Sequence, residues 1–106
     1  MTMVLANYVK LEPEKEKVMR FVPASWAVVP HTWKDPKTGR LKTGRRLSLD
    51  VLEEDYLPVS KGFSTLSEKL AARLEIAHLN GDLYRYRVGI KWTPNDLATE
   101  YQVRYF

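Results

Sequence analysis

The 106 residues include no cysteine, which excludes disulfides and thiolate metal sites and fits a reducing compartment. There are two histidines, His31 and His78, far apart and without other ligand-type residues patterned beside them, so no metal is expected. No apolar run approaches the ~20 residues that cross a bilayer. Met1-Thr2-Met3-Val4-Leu5-Ala6 lacks the basic flank and apolar length of a signal peptide. These absences give the expectation of a soluble chain with no membrane segment, metal or cofactor, and favour an intracellular over a secreted setting while leaving the compartment open.

Catalytic patterns are missing too. There is no nucleophile elbow, and neither histidine has a recognisable serine or cysteine partner in sequence. His78 falls near the apolar stripe of a helix, where a satisfied core or rim histidine is the ordinary outcome. Gly39-Arg40-Leu41-Lys42-Thr43-Gly44-Arg45-Arg46 has the glycine spacing of a phosphate-binding loop, but arginine replaces both its lysine and its magnesium-holding hydroxyl. The acidic residues show no spacing that singles out a pair. Recognition, not catalysis, is the expected class of function.

What is present is the composition of a folded domain: 44% hydrophobic, 28% charged, with three tryptophans, six tyrosines and three phenylalanines. A chain of this length buries roughly 60–65% of its unfolded surface, so residues 1–106 are expected to form a single domain without staples. No repeat, low-complexity tract or linker interrupts it.

Residues 4–11 and 17–22 read as strands, and the polar, proline-containing Glu12–Glu16 between them suggests an antiparallel pair. In Val22–Pro30 the prolines confine any strand to the middle of the segment or to a sheet edge, and Trp26 is expected to be buried. Asp35-Pro36-Lys37-Thr38-Gly39 has proline at the second turn position and a later glycine, the signature of a tight turn in a protruding hairpin. Leu47–Leu52 alternates apolar with polar and reads as a short strand before an acidic turn, Glu53-Glu54-Asp55, placed to fold back onto that hairpin.

Thr65-Leu66-Ser67-Glu68 has capping-box spacing, Asn80-Gly81 is a stop, and Leu66, Leu70, Leu74 and Ala77 share one stripe, so a helix is predicted over about 66–79. Tyr84, Tyr86, Val88, Ile90 and Trp92 occupy every second position with Arg85, Arg87 and Lys91 between them, which predicts a strand with a core face and a basic face. Thr93–Asp96 reads as a loop or one helical turn, and Thr99–Phe106 as a closing strand. The expected fold is α+β, one main helix on a mostly antiparallel sheet. Its expected core is Trp26, Val28, Leu66, Leu70, Leu74, Tyr86, Val88, Ile90 and Trp92.

Charge placement points to a site. Lys34, Lys37, Arg40, Lys42, Arg45 and Arg46 stand against Asp35 alone, so this segment carries +5 of a total of +4, and the remaining chain carries −1. Cations on a hairpin neutralise phosphates with release of counterions, and Trp33 among them offers a stacking surface for unpaired bases. The candidate nucleic-acid contacts are therefore Trp33, Lys34, Lys37, Arg40, Lys42, Arg45 and Arg46. The alternative is a solvated hairpin neutralised by Asp50, Glu53, Glu54 and Asp55, with Trp33 in the core. Arg85, Arg87 and Lys91 would extend the basic surface or simply form a strand's outer face. Arg45-Arg46-Leu47-Ser48 also presents Ser48 in a pattern read by kinases that require upstream arginines. A different class of function is a protein interaction, in which the Thr99–Phe106 edge pairs with a partner strand or a second copy of the chain.

Tyr8-Val9-Lys10-Leu11, Val22-Pro23-Ala24-Ser25-Trp26, Tyr56-Leu57-Pro58-Val59 and Phe63-Ser64-Thr65-Leu66 together resemble a small amino-terminal module of unknown function. It is found in insect and other animal proteins related to mobile elements. The resemblance covers roughly Tyr8 to His78; the family's cysteine near His31-Thr32-Trp33 is missing, and the strands from Leu83 onward lie outside its pattern. It implies a nuclear or genome-parasite setting and a recognition role, and supplies no catalytic residues. A viral or phage accessory protein is an equal expectation for a chain of this size.

Overall fold

The computed structural model describes residues 7–94 and 99–106, and in it the alternating stretches pair into one antiparallel sheet accompanied by two short helices. The strands are β1 (Lys17–Phe21), β2 (Ala27–Lys34), β3 (Leu41–Glu54), β4 (Leu57–Thr65), β5 (Val88–Thr93) and β6 (Glu100–Tyr105). The helices are α1 (Glu68–Asn80) and α2 (Asp82–Arg85). Every ladder between named strands is antiparallel.

The 14-residue β3 organises the sheet. Its register with β4 overlaps its registers with both β1 and β2, and a strand has two edges, so β1 and β2 share the edge opposite β4. They are two halves of one interrupted strand. Ser25 closes the interruption: its hydroxyl donates to the Val22 carbonyl at 2.6 Å and accepts from the Asp50 amide at 3.0 Å. The Val22 amide meanwhile donates to the Asp50 carbonyl. Beyond β1 the sheet continues through β5 to β6.

The core lies on the face of β3 that carries Leu47, Leu49 and Val51, with Met19, Phe21, Phe63, Val88 and Ile90 beside them. α1 covers this face, lying against β4 and β6 and inserting Leu70, Leu74 and Ala77. Its start is fixed by Ser67, whose side chain accepts from the Leu70 amide, and its stop by Gly81 at φ +88, a left-handed value that glycine adopts without a Cβ penalty. Thr65, expected to open the helix, instead accepts from the Ser67 amide, and Leu66 is exposed ahead of the first turn.

Other expectations need correction. Residues 7–11 form no ladder with β1, because both edges of β1 are already occupied by β3 and β5. The segment instead runs from a single parallel bridge at Tyr8 and Gly62 to another at Pro13 and Trp92. The rest of that expected strand, residues 4–6, lies outside the described residues, as do Asn95 and Asp96 of the expected 93–96 turn, while Thr93 ends β5. Tyr84 belongs to α2, and the alternating strand begins only at Val88. Of the expected core, Leu70, Leu74, Val88 and Ile90 are buried, Trp26 and Trp92 are half-buried, and Val28, Leu66 and Tyr86 are exposed.

His78 is satisfied at the rim of the core. Its ring stacks on Trp26 with centroids 4.2 Å apart and planes 10° apart, and its Nδ1 lies 2.5 Å from the Tyr84 hydroxyl. Burial raises the Tyr84 phenol above its ordinary value.

Candidate nucleic-acid interface

The candidate site is the β2–β3 hairpin. Its turn is built by Asp35, whose carboxylate accepts from the Lys37 amide at 2.8 Å, while the Gly39 amide donates to the Asp35 carbonyl. Gly39 sits at φ +72, where a side chain would be strained. From there the two strands pair continuously, from Lys34 opposite Leu41 to Ala27 opposite Ser48. The β4 ladder reaches only as far as Leu47 opposite Thr65. Residues 29–34 and 41–46 therefore form a two-stranded ribbon that projects beyond the sheet, mostly exposed but with Val29, His31, Gly44 and Arg46 half-buried on one face. Pro30 is tolerated because β2 is an edge strand.

Partners opposite one another in an antiparallel ladder share a face. One face of the ribbon thus carries His31, Trp33, Lys42 and Arg46 around Gly44; the other carries Pro30, Thr32, Lys34, Leu41, Thr43 and Arg45. Lys37 and Arg40 occupy the tip. The seven expected contact residues are brought onto one ribbon but divided between two faces and a tip. Trp33 is 39% exposed, not core. Gly44 is inside a strand, so the glycine-spaced segment is no phosphate-binding loop.

The electrostatics separate the ribbon from the rest of the chain. Its one acid, Asp35, pairs with Lys42 at 3.1 Å, and its carboxyl is held below the ordinary range by the Lys37 amide and then by Lys42. Arg45 approaches the exposed Glu68 only at 4.0 Å. Among the described residues, Lys34, Lys37, Arg40 and Arg46 have no ion-pair partner.

The expected neutralisation by the acidic turn does not occur. Asp55 and Tyr56, at φ +51 and +69, turn β3 directly into β4 at the end of β3 remote from the ribbon tip, roughly 40 Å of strand away. There Glu54 pairs with Lys17 and Lys61, Asp55 with Lys17, and Glu53 with Arg87, whose guanidinium also lies over the Tyr56 ring. Arg87 is thereby committed to the acidic end. Arg85 pairs with Asp82, and neither arginine extends the ribbon's charge.

Three residues that sequence reasoning left out of the site belong to it. His31 stacks with Trp33, centroids 5.5 Å apart and planes 24° apart, as its two-residue spacing on a strand would have indicated. Gly44 gives the Trp33 ring its space. Lys10 lines an open groove at the ribbon's base together with His31, Arg46, Ser64, Trp92 and Tyr101, and only the fold brings it there.

No protein-family model, curated protein or solved structure matches this chain.

Proposed function

We propose that the chain is a nucleic-acid recognition module whose contact element is the β2–β3 ribbon. One observation carries the reading: the ribbon projects with four cations that lack ion-pair partners among the described residues, while the acidic turn at the far end of β3 is fully engaged with other bases. Of these four cations, Lys34, Lys37 and Arg40 are exposed and so bind a phosphate backbone at little desolvation cost, and counterion release supplies the affinity. The function is recognition, without a catalytic step.

Fluorescence anisotropy of labelled single-stranded RNA and duplex DNA tests this at about 50 and 200 mM salt. Dissociation constants around 10⁻⁴ to 10⁻⁶ M at the higher salt, tightening steeply at the lower, are expected. A folded Lys34→Glu, Lys37→Glu, Arg40→Glu variant should lose the binding. Absence of binding to either nucleic acid at the lower salt overturns the reading.

A second reading, strand pairing with a protein partner or another copy, is favoured by β6. It ends the sheet path, and its Val103 and Tyr105 border a shallow depression shared with the exposed Ile76 of α1. Against it, the Arg73 guanidinium already caps the Tyr101 carbonyl at 2.6 Å. Association through this edge would persist at about 200 mM salt in sedimentation velocity, where Debye screening removes most of the pull between exposed charges.

A further inference from the structure

Resting on the ribbon's reading as a nucleic-acid contact, we infer that its ligand is single-stranded. The strand lies along the His31–Trp33 face and enters the groove at the ribbon's base. The face is unlike an ordinary cationic strand surface. Trp33 spreads over Gly44, where an added Cβ would come within 3.2 Å of its ring, and His31 stacks beside it. The result is a stacked aromatic platform flanked by Lys42 and Arg46.

A duplex keeps its base faces covered by stacking, and a protein reaches it through phosphates and base edges. Only unpaired bases offer the π-faces that such a platform accepts. The ribbon's other face, with Pro30, Thr32, Lys34 and Arg45, has no aromatic residue and supplies charge alone.

Below the platform, the groove of about 520 Å³ continues the same chemistry. Arg46 and Lys10 supply cations, Ser64 a hydroxyl, and the half-buried Trp92 and Tyr101 aromatic surface. Among the described residues, the Arg46 Nε is the one buried side-chain nitrogen or oxygen without a hydrogen-bond partner. A buried donor left unpaired is costly, and turning the Arg46 side chain into the groove, where a phosphate oxygen or a base carbonyl would accept from it, removes that cost. Platform and groove share His31 and Arg46 and together offer aromatic and cationic groups, the combination suited to a flexible strand with exposed bases.

The test compares oligo-U, oligo-dT and a duplex DNA, each of about ten nucleotides or base pairs, by anisotropy and tryptophan quenching with the full chain at low salt. Single strands should bind at least about tenfold tighter than the duplex and quench tryptophan. Trp33→Leu, and separately Arg46→Gln, should each weaken single-strand binding severalfold more than duplex binding and so erase most of that preference. The ratio of oligo-U to oligo-dT affinity separates an RNA from a DNA ligand, and a single-strand preference with either one supports the proposal. Equal affinity for single strands and duplex, or equal losses on both in the Trp33 and Arg46 variants, overturns it and leaves the parent reading standing. No binding to any of the three overturns both.

Discussion

Trp33 lies across Gly44 so closely that a Cβ there would meet its Cη2 and Cζ3 atoms at 3.2 Å. The pair sets the shape of the ribbon, since any larger residue opposite His31 must lift or turn the indole. Gly44→Val is therefore expected to displace the Trp33 platform while the fold persists, because valine suits a strand and the site is remote from the core. Unfolding in urea should shift by less than about 1 kcal/mol. Binding of a single-stranded oligonucleotide should weaken severalfold, with a changed Trp33 indole resonance in NMR spectra. Unchanged binding together with a moved indole would show that the platform is not used.

Asp35 both builds the ribbon's turn and cancels one of its charges, accepting from the Lys37 amide and pairing with Lys42. Asparagine keeps the turn-forming acceptor and removes the charge. Asp35→Asn should therefore raise nucleic-acid affinity and steepen the dependence of log K on log salt by about one phosphate contact, roughly 0.7–0.9 in slope. Anisotropy over a salt series measures both. A weaker or flatter response would mean that Lys42 does not face the ligand.

The opposite end of β3 sets the response to acid. Glu54 is held below its ordinary value of 4.5 by hydrogen bonds from Lys61 and Lys17. For Asp55, burial pushes the carboxyl up, but Lys17 and the Val18 amide outweigh it and leave the group lowered. A carboxylate depressed in the folded state contributes stability that is fully present above its unfolded value and lost as pH falls through the folded one. Stability should accordingly be flat near neutrality and drop below pH about 4.5. Glu54→Gln should cost about 1–2 kcal/mol at neutral pH and reduce the acid slope, as urea titrations at several pH values will show.

The sequence displayed those parts of this fold whose signals are local. The hairpin turn, the helix stop at Gly81, the buried stripe of Leu70, Leu74 and Ala77, and the β5 and β6 strands all depend on short-range spacing. β4 was hidden because Pro58 and Gly62 weaken its pattern and because its connecting turn uses Asp55-Tyr56 in place of the usual Asn-Gly. The role of Ser25, bridging two halves of one strand, depends on Asp50 a sheet register away. At the site, the cations and Trp33 were legible from composition. Their division into two faces was not, because it requires the β2–β3 register, and neither was Lys10, which arrives from a segment with no ladder of its own.

His78 joins three elements that no single pattern connects. It belongs to α1, stacks on Trp26 in the segment before β2, and meets Tyr84 of α2. Removing its ring takes away an aromatic stack and a hydrogen bond together, so His78→Ala should cost about 2–3 kcal/mol in urea unfolding. Tyr84→Phe keeps the apolar packing and the edge-on ring, which costs only about 1 kcal/mol. The same tyrosine gives a test by pH. Burial raises its phenol above 10.0, so the folded chain keeps a proton that the unfolded chain releases. Stability should then fall as pH rises through 10, and Tyr84→Phe should flatten that alkaline slope. If Tyr84→Phe leaves the slope unchanged, the phenol is not held protonated in this rim, and the contact with His78 carries little of the packing between α1 and α2.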